Sequence, residues 1–150
     1  MLAIGLFSIA VLLIIVSKRI EQNRKWVEEN DDFEEMSKVY YETIDLLKEK
    51  KYFLNKSLKL STLSQELGYA DRLVSKSINT FFSGNFNSFV NSFRVEHSKG
   101  LLTSGKYDHY TVEAIAEESG FSNKVSFYNA FKKETDMSPT EFRALKQPKK

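Results

Sequence analysis

Hydrophobic and polar positions divide the chain into stretches of different character. Residues 1–16, MLAIGLFSIAVLLIIV, carry no charge and only Ser8 as a polar side chain. As a helix the run through Ser17 covers about 25 Å, within the range of membrane spans. Lys18 and Arg19 follow the run rather than precede it, and nothing resembles a cleavage site, so a transmembrane helix over 1–17 is expected in preference to a cleaved signal or a buried core helix. The basic cluster Lys18, Arg19, Arg24, Lys25 would stay on the inner side and leave the rest of the chain inside the cell. A longer protein whose last span this is would read identically.

Residues 18–35 are dense in charge, with Glu28, Glu29, Asp31, Asp32, Glu34 and Glu35 close together. They read as a solvated juxtamembrane linker, because adjacent acids on a polar segment seldom converge on a metal. From Phe33 the apolar positions Met36, Tyr40, Ile44 and Leu47 recur at threes and fours, which predicts a helix with one buried stripe and starts the folded domain, 36–150. Leu60, Leu63 and Leu67 predict a second helix, with Ser61 or Thr62 as N-cap and Gly68 as stop. A third, capped by Asp71, turns Val74, Ile78 and Phe81 or Phe82 inward and ends at Ser83-Gly84-Asn85. Phe86, Phe89, Val90, Phe93, His97 and Leu101 trace one face of a longer helix. Val112, Ile115 and Ala116 then lead to Gly120, Phe127 and Phe131 mark the next helix, and Ser138-Pro139-Thr140-Glu141 forms a capping box. No alternating strand pattern occurs after residue 36, so the fold class is all-α.

The chain repeats itself. Leu60 to Ile78, LSTLSQELGYADRLVSKSI, and Val112 to Phe131, VEAIAEESGFSNKVSFYNAF, both read helix, glycine-aromatic turn, helix, the second with one extra residue after the glycine. This is the layout of a helix-turn-helix, whose second helix fits a DNA major groove. The predicted motifs are 60–82 and 111–135, joined by a linker helix over 86–103. A rod of that length spans about 26 Å, enough with the helix widths to set two recognition helices about one duplex turn apart.

The segment Leu60 to Leu145 resembles the DNA-binding domain of the AraC/XylS family of bacterial transcription regulators, with GFSNKVSFYNAFKKETDMSPTEFR, Gly120 to Arg143, closest to the family signature. Ile78 to Leu102 is similar to the linker-helix region of membrane-associated members. Asp136 stands where many relatives have glycine, a small departure because aspartate tolerates left-handed backbone. No effector-binding β domain is recognisable upstream. The resemblance implies a regulator that binds double-stranded DNA, contacts RNA polymerase and can act as a homodimer, its effector or sensor unidentified. With the span over 1–17, its place is the bacterial inner membrane with the DNA-binding domain cytoplasmic.

On the first recognition helix, Arg72, Ser75, Lys76 and Asn79 lie opposite Val74 and Ile78. The resemblance makes Arg72, Ser75 and Lys76 base-contacting positions; arginine and lysine suit guanine edges. In the second copy Lys124, Val125, Tyr128 and Asn129 occupy the equivalent face, where Asn129 suits adenine and Val125 a thymine methyl. Ser126, Lys132, Lys133 and Thr140 suit phosphate anchoring, which fixes register without reading sequence.

Composition narrows the alternatives. The absence of cysteine removes disulfides, thiolate zinc sites and cysteine nucleophiles. The two histidines, His97 and His109, have no metal-ligand spacing, and His97 on an apolar face reads as core. No phosphate loop or nucleophile elbow is present, so neither an enzyme nor a cofactor or metal site is expected. Helical spacing makes the phenylalanines core rather than stacking platforms for single strands. Residues 56–150 hold 14 basic and 10 acidic side chains, net +4, an excess that allows contact with phosphate without requiring it. The competing reading is a membrane-anchored helical module that binds protein and not DNA.

Overall fold

The structure, a computed structural model, describes residues 2–146, with side chains described from Leu13 to Leu145. The elements are α1 (Leu2–Lys50), a 3-10 turn (Tyr52–Leu54), α2 (Leu60–Leu67), α3 (Asp71–Phe82), α4 (Phe86–Thr103), a second 3-10 turn (Gly105–Tyr107), α5 (Val112–Glu118), α6 (Lys124–Thr135) and α7 (Pro139–Lys146). Two compact units divide the chain at residues 38 and 39, and α1 contributes to both.

The expected transmembrane helix over 1–17 is corrected, and with it the single-pass inner-membrane location. Among the described residues no helix is long and apolar enough to cross a membrane. The described apolar run Leu13–Val16 passes, within one uninterrupted helix, into Lys18, Arg19, Glu21, Arg24 and Lys25. Met1 lies outside the described residues, as do the side chains of residues 2–12. Residues 18–35 are helical throughout. Glutamate, lysine and arginine are good helix formers, and Lys25 pairs with Glu29 one turn on at 3.9 Å.

The second unit is built on two apolar cores. Val39, Leu47, Phe53, Leu63, Val74, Ile78, Phe89 and Val90 close the first. Val95, Leu102, Ile115, Ala116, Phe121, Phe127 and Phe131 close the second. The inward stripe of α1 centres on Val39, Thr43 and Leu47, with Tyr40 and Ile44 at its flank, and the buried Thr43 hydroxyl donates to the Val39 carbonyl at 2.7 Å.

α4 belongs to both cores. Phe89 and Val90 enter the first, whereas Val95 and Leu102 enter the second from the opposite side, roughly 180° around the helix at 3.6 residues per turn. A single apolar stripe ending at His97 and Leu101 therefore described only half of it. His97 is half-buried, its ring 5.7 Å from that of Phe53.

Caps set the helix ends. Asn85, Thr111 and Asn123 each accept from a backbone N–H three residues on, at 2.9, 3.1 and 2.8 Å, satisfying donors that the first turn leaves open. Ser138 and Glu141 close the capping box reciprocally, at 2.8 Å from the Ser138 N–H to the glutamate and 3.2 Å from the Glu141 N–H to the serine hydroxyl. These bonds from Ser138 hold the Glu141 carboxyl below its usual range. α2 starts at Leu60 with Lys59 as its N-cap, and α3 with Ala70, so neither Ser61, Thr62 nor Asp71 takes that place. Asp71 instead puts its charge in the first turn of α3, where the helix dipole favours it.

Candidate nucleic-acid interface

The two helix-turn-helix units share one turn geometry. Gly68 adopts φ +74° and Gly120 φ +84°, and each precedes an aromatic residue whose N–H reaches back five residues. Tyr69 donates to the Ser64 carbonyl and Phe121 to the Ala116 carbonyl, both at 3.0 Å. Glycine is required because a left-handed residue must follow the helix before the chain reverses into the next one. The repeat in the sequence is thus a repeat in the backbone.

Each second helix buries one face and leaves the other to solvent. On α3, Val74, Ser77 and Ile78 are buried, Arg72, Lys76 and Asn79 are exposed, and Ser75 is half-buried. On α6, Phe127 and Phe131 are fully buried, while Lys124, Val125, Ser126, Asn129, Lys132 and Lys133 are exposed. Val125 stands 69% exposed, an apolar side chain offered to the outside between polar neighbours. Tyr128 is half-buried, and its hydroxyl lies 3.3 Å from Thr140 Oγ1 on α7, which joins two of the sequence-predicted positions.

Lys124 is already engaged. Its Nζ lies 2.5 Å from Glu113 Oε1 on α5 and 5.3 Å from the centre of the Tyr128 ring. The contact raises the lysine and lowers the glutamate from their ordinary ranges, each hydrogen bond favouring the charged form of its partner. For Lys124 to reach a base it must first give up this carboxylate.

Sequence pattern did not reveal what couples the two halves. Arg94, on α4, donates through Nε to the Phe53 carbonyl at 2.6 Å and through Nη2 to the Asn55 carbonyl at 2.9 Å. Its guanidinium carbon also lies 5.7 Å from the centre of the Phe121 ring, and burial lowers its pKa. Gly120 presses on the same 3-10 turn: a Cβ there would come within 2.5 Å of the Phe53 carbonyl oxygen and 2.7 Å of Leu54 Cα. Lys56 and Glu117 add an exposed ion pair at 3.7 Å. The turn Tyr52–Leu54 is therefore a wedge between the first core and the second glycine turn. An arginine within the apolar stretch of α4 was the one visible sign of it.

A polar groove of about 290 Å³ runs beside this junction, lined among others by Lys56, Asn87, Asn91, Arg94, Ser122 and Ser126. A second depression continues from it along α6 past Ser88, Asn129 and Lys133. Three of the sequence-predicted residues, Ser126, Asn129 and Lys133, thus border a donor-rich trough between α4 and α6.

Two helix-turn-helix motifs on a shared linker helix define a nucleic-acid-binding class of fold. Residues 63–145 match the family described as a helix-turn-helix domain, and the chain belongs to that family. Among relatives, it is 35% identical over 89 residues to an uncharacterized HTH-type transcriptional regulator of Staphylococcus aureus (strain COL), a match covering 59% of this chain and 12% of that protein. Among solved structures, it is similar to an AraC-type regulator from Chromobacterium violaceum, with TM-score 0.61, 17% identity, and 74% of this chain and 95% of that one covered. It is likewise similar to the DNA-binding domain of AdpA in complex with a target DNA, with TM-score 0.58, 20% identity, and coverage of 71% and 90%. The fold is that of AraC-type DNA-binding domains.

Proposed function

We propose that the second unit is the sequence-reading head of a transcription regulator, placing α3 and α6 in successive major grooves of double-stranded DNA. The observation that carries this reading is the duplicated glycine turn, after which each second helix buries its apolar face and leaves its polar face open. Arg72, Ser75, Lys76 and Asn79 read one groove; Val125, Asn129, Tyr128 and, once released from Glu113, Lys124 read the next. Ser126, Lys132, Lys133 and Thr140 hold the sugar-phosphate backbone, and the trough beside α6 gives it a seat. The chain spans only 12% of the length of the staphylococcal relative, so the reading is confined to the DNA-binding step.

The test is selection of binding sites from a random duplex library with the 150-residue chain, followed by a salt titration on the winning site. Enrichment of a two-part motif with half-sites about one helical turn apart is expected. If four to six phosphates are neutralised, affinity falls roughly as the 4th to 5th power of salt concentration. No enrichment, or a flat salt dependence, overturns the proposal in favour of a helical module that binds protein.

A further inference from the structure

The second recognition helix begins on a side chain that is already bound. Lys124 opens α6 directly after its N-cap Asn123, and recognition helices read base edges with their N-terminal residues. Its partner Glu113 lies in the first turn of α5, two residues after the N-cap Thr111. The two side chains meet at 2.5 Å while 56% of the lysine and 50% of the glutamate remain open to water, so DNA can compete for either.

The two partners are not held equally. Besides Lys124, the backbone N–H of Glu113 itself and the Thr111 hydroxyl bond the carboxylate and keep it ionised. Thr111 is anchored in turn, accepting from the Ala114 N–H at 3.1 Å. Lys124 rests on the face of the Tyr128 ring at 5.3 Å and swings on a flexible stem. When the pair opens, the carboxylate stays and the lysine leaves.

What draws the lysine away depends on the duplex. Exchanging the carboxylate for a phosphate replaces one anion by another, and a lysine already neutralised by Glu113 brings no net charge with which to release a counterion. Arbitrary sequence therefore offers little. An exposed ion pair is worth at most about 5-fold in equilibrium, whereas paired hydrogen bonds to a guanine edge are worth about 5- to 150-fold. The right base wins where a phosphate does not.

We propose that Glu113 is a specificity-determining residue of the DNA interface: it keeps Lys124 off the phosphates of non-target duplex and yields it to a base of the target. This rests on the two-groove reading above and concerns its second half alone.

The test is titration by fluorescence anisotropy of the 150-residue chain on its selected site and on random duplex, across a range of potassium chloride concentrations. Glu113→Gln keeps the shape of the side chain and sets the lysine charge free. On random duplex it should bind about 8-fold more tightly at about 0.1 M salt, with a salt exponent steeper by about 0.9. On the selected site, where Lys124 has already left the carboxylate, the exponent should stay as it is and affinity should rise only about 2-fold. Discrimination between the two duplexes then narrows about 4-fold. Combining Glu113→Gln with Lys124→Gln restores the net charge of the original pair and should return random-duplex binding to the wild-type value. Thermal unfolding of each variant checks that the fold persists.

An equal gain on both duplexes, or an unchanged exponent on random duplex, overturns the proposal while wild-type preference for the selected site leaves the two-groove reading standing. Tighter random binding that survives in the double variant overturns it too, because the charge set free is then not Lys124. A chain that prefers no duplex overturns both.

Discussion

Arg94 Nε donates to the carbonyl oxygen of Phe53 at 2.6 Å, joining residues 41 apart in sequence. With the bond to Asn55 and the Phe121 ring beneath the guanidinium, one side chain of α4 touches the turn after α1 and the turn after α5. Arg94→Ala removes charged donors from two carbonyls and should cost about 2–3 kcal/mol, read as a lower midpoint in urea unfolding. Arg94→Lys should recover only part of this, because an ammonium cannot direct two bonds in a fixed fork. Equal stability of all three proteins would show that the coupling lies elsewhere.

The two turn glycines separate backbone conformation from crowding. Both have positive φ, but a Cβ at Gly68 would meet nothing within 4 Å, whereas one at Gly120 would strike the backbone of Phe53 and Leu54. Gly68→Ala should therefore cost about 1–2 kcal/mol, the left-handed penalty alone. Gly120→Ala adds overpacking against main chain and should cost about 3–4 kcal/mol in total. Thermal unfolding followed by circular dichroism distinguishes them; equal losses would mean that the wedge gives way.

His97 should make stability fall in mild acid. Burial holds its imidazole below the ordinary 6.5, nearby Lys51 adds to the effect, and Glu118 opposes it. The unfolded chain then takes up a proton that the folded one refuses. The stability is fully present above about pH 6.5 and is lost as pH falls from there toward the folded value. His97→Gln should flatten this part of the stability profile while leaving the carboxylate region below it in place. An unchanged profile in the variant would assign the acid sensitivity to other groups.

On DNA, the two kinds of contact separate by their dependence on sequence. Arg72→Ala should cost about 1–3 kcal/mol on the selected site and relax one base position. Lys133→Ala should weaken selected and random duplexes alike and reduce the salt slope by about 1. Competition binding against single-base variants of the site measures both, and a base preference that persists without Arg72 would remove it from the reading face.

The legibility of the fold follows the range of the interactions. Helices between Leu60 and Thr135 were readable because Gly68, Ser83-Gly84-Asn85 and Gly120 mark their ends and apolar spacing marks their inner faces, whereas their N-caps were not: Lys59 and Ala70 take the places expected for Ser61 or Thr62 and Asp71, and the capping roles of Asn85, Thr111 and Asn123 went unread. Asp136 takes φ 58° at the end of α6, the left-handed position in which aspartate can stand for glycine. Two kinds of feature escaped. Charge without apolar periodicity looks like a linker whether or not it is helical, so the continuity of α1 through residues 18–35 was hidden, and the apolar run before it read as a span. Contacts between distant segments leave no periodic trace: Arg94 with Phe53, Gly120 with Leu54, and the second inward face of α4 through Val95 and Leu102 all depend on where the chain returns. Among the site residues, position on the outer faces of α3 and α6 was legible, while the engagement of Lys124 by Glu113 required knowing that α5 lies alongside.

The wedge formed by Tyr52–Leu54 has a further meaning for a protein that reads duplex. Because Gly120 and Arg94 both clasp it, neither prong can swivel without unseating the other, and the separation between them is a property of the polypeptide. On the proposed two-groove reading, such a molecule gauges length as strictly as it recognises letters. Inserting about 5 base pairs between the two halves of its target would rotate one half to the far side of the helix, and no amount of correct sequence there could restore the grip.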